Sequence, residues 1–292
     1  MAWESDVKRS LTISFLIATL GTSASLMAAP KPLVMVSIPP QEWLVKSLAG
    51  DAVEIRALLA SGTDPHTFEP TARQLKNAAK ASMYFTQGIP FEDRLIPKLT
   101  ALNPQLAVAA MDEKIKKREE GEEPGHEHGG HRHHHDPHIW LSPDRYCQMA
   151  SNTATRLSAA YPDLRQTLAS GLNKTVAEIR TADTRLRQKI RPGTVWVVYH
   201  PAWDYFADDY GIKLLTIEHD GKEPSARHMA QIVKLAKEKK ASLVLNQPQG
   251  NQRSAQIVAK QLKVKLVAAD PLDPDWPALM RRLGDLAGNP EN

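Results

Sequence analysis

The chain has 292 residues, of which 42% are hydrophobic, 24% charged and 6% aromatic. That is enough apolar material for a real core and excludes global disorder. Its 37 basic and 33 acidic residues leave a net charge of +4, with no long basic run interleaved with aromatics, so a nucleic-acid partner is not expected. A single cysteine, Cys147, excludes a disulfide framework and a cysteine-based zinc finger, and reads as a buried small hydrophobe.

The first segment reads as a leader. Lys8 and Arg9 precede an apolar run over 11–20, and small residues follow as far as Ala29. This order predicts a secretory signal peptide over residues 1–28. The run is shorter than the ~20 residues that a spanning helix needs. No second run of that length follows, so an exported, periplasmic, soluble protein is expected.

Short apolar runs then alternate with helix-length stretches. Strands are expected at 33–37, 53–59, 82–86 and 106–109, with helices at 41–49, 71–80 and 91–102 between them. Thr71 and Gln74 have the spacing of a capping box. The pattern returns with strands at 194–199, 213–217, 242–245 and 264–268, and helices at 202–210, 225–239, 251–262 and 275–287. Such alternation predicts parallel sheets in two similar lobes. Between the lobes, Leu164, Leu168, Leu172, Val176, Ile179, Leu186 and Ile190 recur at three- and four-residue steps when Ala182 is counted on the same face, which predicts one long amphipathic helix over 163–190. A shorter helix precedes it, capped by Ser142 with Pro143 in its first turn. Residues 112–136 combine a mixed charge run with the tract GHEHGGHRHHH and predict a solvated loop. The expected division is a first lobe over 31–159, a linker helix over 160–192 and a second lobe over 193–292.

Four groups follow the carboxyl ends of predicted strands: His66 in DPHTFEP, His138 in DPHIWLSP, His200 in VWVVYHPAWDYF and Asp270 in VKLVAADPLDP. Ligands bind at such strand ends in open α/β sheets. Three imidazoles and a carboxylate suit a divalent transition metal such as zinc, and the two Asp-Pro-His motifs strengthen that reading. Asp273 and Asp275 compete with Asp270 for the fourth place. His126, His128, His131, His133, His134 and His135 form a separate, weaker metal-binding tract. No G-x-S-x-G elbow, HExxH helix or phosphate-binding glycine loop is present, so an enzyme is not expected. A zinc hydrolase and an adhesin or metal-storage protein remain as alternatives.

The segments SLAGDAVEIRALLASGTDPHTFEPTARQL, QGIPFED, DPHIWLSP, HPAWDYFADDYGIK, GKEPSARH and AADPL together resemble the metal-binding solute-binding proteins of ABC transporters, the zinc and manganese (cluster A-I) group. The resemblance covers nearly all of the chain after the leader. It implies two (β/α)4 lobes joined by one long backbone helix, with the metal in the cleft between them. The family's ligand positions fall on His66, His138, His200 and Asp270. Manganese members often carry Glu where this chain has His200, and a His-rich loop is characteristic of zinc members. The implied cargo is Zn2+, with Mn2+ or Fe2+ as alternatives. The implied partners are a permease and its ATPase at the inner membrane, with the binding protein a monomer. The chain departs from the family in having Asn246 and Gln247 where an acidic residue is common. Water would complete the shell if Asp270 did not bind.

Overall fold

The computed structural model describes residues 30–119, 135–218 and 223–288. The expected signal peptide and His126, His128, His131, His133 and His134 lie outside the described residues.

The first half runs β1 (Leu33–Val36), α1 (Pro39–Ala49), β2 (Glu54–Ala57), α2 (Ala72–Ala78), β3 (Met83–Thr86), α3 (Pro90–Leu102) and β4 (Ala107–Ala110). The second half repeats the theme with β5 (Val195–Val198), α6 (Asp204–Tyr210), β6 (Lys213–Thr216), α7 (Ala226–Glu238), β7 (Leu243–Asn246), α8 (Gln252–Leu262), β8 (Lys265–Ala268) and α9 (Trp276–Gly288). Each half forms a four-stranded, wholly parallel sheet, ordered β2-β1-β3-β4 and β6-β5-β7-β8. The central strands of the second sheet are buried at every position because helices cover both their faces: β5 reads VWVV, and β7 reads LVLN, apolar up to its last residue, Asn246.

Local chemistry sets the helix starts. Thr71 accepts the N–H of Gln74, while the Gln74 side chain accepts the N–H of Thr71. Ser142 caps α4 (Pro143–Ala160), and Ser225 caps α7 by accepting from His228. Between the halves a single 3₁₀ turn, Pro162–Leu164, leads into α5 (Arg165–Lys189). The linker helix is therefore shorter than the 160–192 expected. Pro162 and Tyr161, whose backbone leaves the helical region, break it from α4.

At ~1.5 Å per residue α5 is about 37 Å long. It packs against α1 and α4 of the first half and α9 of the second. Gly171 allows the closest approach: a Cβ there would lie 2.0 Å from the carbonyl oxygen of Leu48. One apolar cluster runs from β1 and β3 through α4 and α5 to Trp196, Trp203, Phe206 and Trp276 in the second half. A second cluster, built on Val197, Tyr199, Val244 and Val258, covers the other face of the second sheet.

The loop expected over 112–136 is ordered at both flanks. Ile115 is buried, Lys117 pairs with Asp112, and Asp136 is only 5% exposed. The sequence is polar there, but the packing is specified by contacts with distant residues that composition does not register.

Candidate metal centre

The chain contains four Asp-Pro-X segments, and all four make the same turn. Asp64 accepts the N–H of His66, Asp136 that of His138, Asp270 that of Leu272 and Asp273 that of Asp275, each at 2.9 Å. Proline has no N–H and a fixed φ, so the next N–H is the first able to fold back onto the aspartate. At residues 64–66 and 136–138 this turn presents an imidazole at the carboxyl end of the first sheet. His200 follows β5 and comes from the second sheet.

His66, His138 and His200 each offer one ring nitrogen within 4.8 Å of the others. The Nε2 atoms of His66 and His200 are 3.2 Å apart. Two nitrogens bound at ~2.0–2.1 Å to one tetrahedral zinc would stand about 3.3 Å apart. The ring centroids are separated by 4.9 Å for His66 and His200, 5.4 Å for His138 and His200, and 6.5 Å for His66 and His138.

Two of the rings are oriented from behind. Asp136 Oδ1 lies 2.7 Å from His138 Nδ1, and Glu218 Oε2 lies 2.9 Å from His200 Nδ1. A carboxylate only accepts, so each imidazole hydrogen sits on Nδ1 and the Nε2 lone pair is left for a cation. Glu218 reaches His200 because β6 pairs with β5: Ile217 and Glu218 donate their N–H groups to the carbonyls of Val198 and Tyr199.

His66 is the exposed member of the group, whereas His138 and His200 are buried. Although much of the residue is exposed, its Nε2 stands 3.2 Å from His200 Nε2; desolvation there, followed by repulsion from His200 and then His138, pushes its pKa down to about 4. It is neutral, and so able to bind metal, well below the usual range of histidine.

Asp270 is not in this group. No oxygen of Asp270 lies within 4.8 Å of all three ring nitrogens. Its carboxylate holds the Leu272 N–H and receives Gln249 Nε2 at 3.3 Å. Asp270 thus uses its carboxylate as Asp64 and Asp136 do, to close its own turn. Burial raises its pKa, against the opposing effect of those two donors. Asp273 and Asp275, the other candidates, are likewise outside the group; Asp273 pairs with Arg282. His135 is exposed, forms an isolated antiparallel bridge with Glu119 and is not in the group of three rings. Sequence reasoning missed Glu218 and Gln249, whose roles follow from strand pairing. It also passed over the first residue of each DPH motif, whose turn-forming role was readable.

The sequence model of the family described as "ZnuA: Zinc-uptake complex component A periplasmic" matches residues 34–285. The chain belongs to this family. It is 28% identical over 273 residues to the zinc-binding lipoprotein AdcA of Streptococcus pneumoniae, covering 90% of this chain and 54% of that protein. The chain thus spans about half the length of the first curated relatives it matches. It is 24% identical over 271 residues to the high-affinity zinc uptake system protein ZnuA of Bacillus subtilis, covering 88% and 85%. A crystal structure of ZnuA superposes with a TM-score of 0.81 at 30% identity, covering 89% of this chain and 98% of that one. The two-sheet α/β fold expected from the sequence is the fold of that structure.

Proposed function

We propose that this chain is the extracytoplasmic component of an ABC-type zinc importer. It captures Zn2+ between its two halves and delivers it to a permease and its ATPase. The observation that carries this reading is the convergence of three imidazole nitrogens within 4.8 Å, two of them oriented by carboxylates. An all-imidazole set favours zinc and its transition-metal neighbours over calcium or magnesium. The zinc names of the relatives, together with the family membership, support the same cargo. The ligands in this reading are His66, His138 and His200. Asp270, held by Leu272 and Gln249, lies outside the three-imidazole group, so water takes the fourth place unless that carboxylate moves in. The role is one of binding rather than catalysis. Among the described residues no helix is long and apolar enough to cross a membrane. The lobes of the working protein are taken as 31–159 and 193–292.

Native mass spectrometry after competition among zinc, manganese, iron and copper tests this reading. The expected result is one tightly held zinc in the wild-type chain, lost in His66→Ala. Preferential retention of manganese or iron would change the cargo; no retained metal would overturn the proposal.

A further inference from the structure

Tyr205 is fully buried in the first turn of α6, five residues after His200. Its hydroxyl accepts the N–H of Arg118 at 2.8 Å and donates to the carbonyl of Asp136 at 2.9 Å. Arg118 and Asp136 also meet directly, the N–H of Asp136 donating to the carbonyl of Arg118 at 3.0 Å. The Arg118 guanidinium pairs with Asp208, on the same helix as Tyr205, and the Arg145 guanidinium lies 4.5 Å over the Tyr205 ring. Burial raises the Tyr205 pKa to about 12, so the hydroxyl keeps its proton at ordinary pH.

Asp136 is the residue that orients His138. One of its oxygens takes both the backbone N–H and the Nδ1–H of His138, at 2.9 and 2.7 Å. Tyr205 thus holds the main chain of the residue whose side chain holds the imidazole. Tyr205 stands on the helix that leaves His200, whereas Asp136 and His138 follow the first sheet. Of the three rings, His138 and His200 are thus tied to each other through one phenol, and the exposed His66 is not part of that link.

We propose that Tyr205 is a positioning residue of the zinc site, fixing the Asp136 main chain and so the direction of His138 relative to His200. This rests on the three-histidine reading above. Removal of a group directly behind a ligand typically costs 10–100-fold in metal affinity, and Tyr205 stands one bond further back, so ~10-fold is expected.

The test is zinc titration and cobalt absorption of the full chain carrying Tyr205→Phe. The expected result is ~10-fold weaker zinc binding and an altered cobalt ligand-field spectrum. Tyr210→Phe is the control: it removes another buried hydroxyl of α6, which donates to Asp183 at 2.9 Å. That change lowers thermal stability but leaves zinc affinity and the cobalt spectrum as in wild type. Combined with Asp136→Asn, Tyr205→Phe is expected to add little, because both act on His138. Equal effects of the two tyrosine variants, or independent losses in the double variant, would overturn the proposal. His200→Ala in the same titration reports on the site itself: if it kept wild-type affinity, the three-histidine reading would fail, whatever Tyr205 did.

Discussion

Trp276 donates its indole N–H to the carbonyl of Trp140 at 2.8 Å, joining the last helix of the second half to the 3₁₀ turn (Ile139–Leu141) that carries His138 at its start. The contact is returned, because the Trp140 indole donates to the carbonyl of Pro271 at 2.7 Å. Both rings are buried, and Trp276 also packs against Trp43 and Tyr146. The seam between the halves beside His138 is thus a buried aromatic layer in which both indole N–H groups are paired.

Trp276→Phe is expected to destabilise the chain by about 2–4 kcal/mol. It leaves the buried Trp140 carbonyl unpaired and opens space in the aromatic layer. Urea unfolding checks this, and a single transition is expected because one apolar cluster spans both halves. The same continuity predicts little compaction on zinc binding. A large fall in radius of gyration by X-ray scattering would contradict it.

Gly171→Ala is expected to destabilise the chain although alanine is the better helix former. The helix-propensity gain is about 1 kcal/mol. The added methyl would fall 2.0 Å from the Leu48 carbonyl oxygen and 2.7 Å from its carbon, which are backbone atoms of α1 and cannot rotate away. A lower melting temperature, with α1 loosened in amide exchange, is the expected readout.

Glu92 gives a pH dependence unrelated to metal. Burial raises its pKa to about 7, although Ser37 and the N–H groups of Gln87, Gly88 and Ile89 all donate to it. The folded value lies above the unfolded one of ~4.5, so between those values the folded chain holds a proton that the unfolded chain has released. Stability therefore falls as pH rises from about 4.5 to 7, by up to roughly 3 kcal/mol. Glu92→Gln, which cannot ionise, should flatten that slope in denaturation measured at several pH values.

The three histidines should not contribute equally to the pH profile of zinc binding. With its pKa near 4, His66 meets proton competition only in acid well below the ~6.5 reference value. The slope of log affinity against pH between 5 and 7 should accordingly stay below three protons, when measured by competition with a chelator. In the same assay His66→Ala should cost on the order of 100-fold, and Asp270→Asn less than about 10-fold, because Asp270 is held by Leu272 and Gln249.

What could be read from the chain alone is what depends on neighbours in sequence. Apolar runs marked the strands, Thr71, Ser142 and Ser225 marked helix starts, and Asp-Pro-His marked two turns that present an imidazole. Each of these is decided within four residues, by backbone geometry and short-range hydrogen bonds. The tertiary structure alone decided which groups stand behind and between the imidazoles. Glu218 meets His200 through the pairing of β5 with β6, Tyr205 meets Asp136 across the two halves, and Gln249 meets the Asp270 carboxylate. Those outcomes depend on contacts between residues far apart in the chain, which are set by packing and strand register rather than by local spacing.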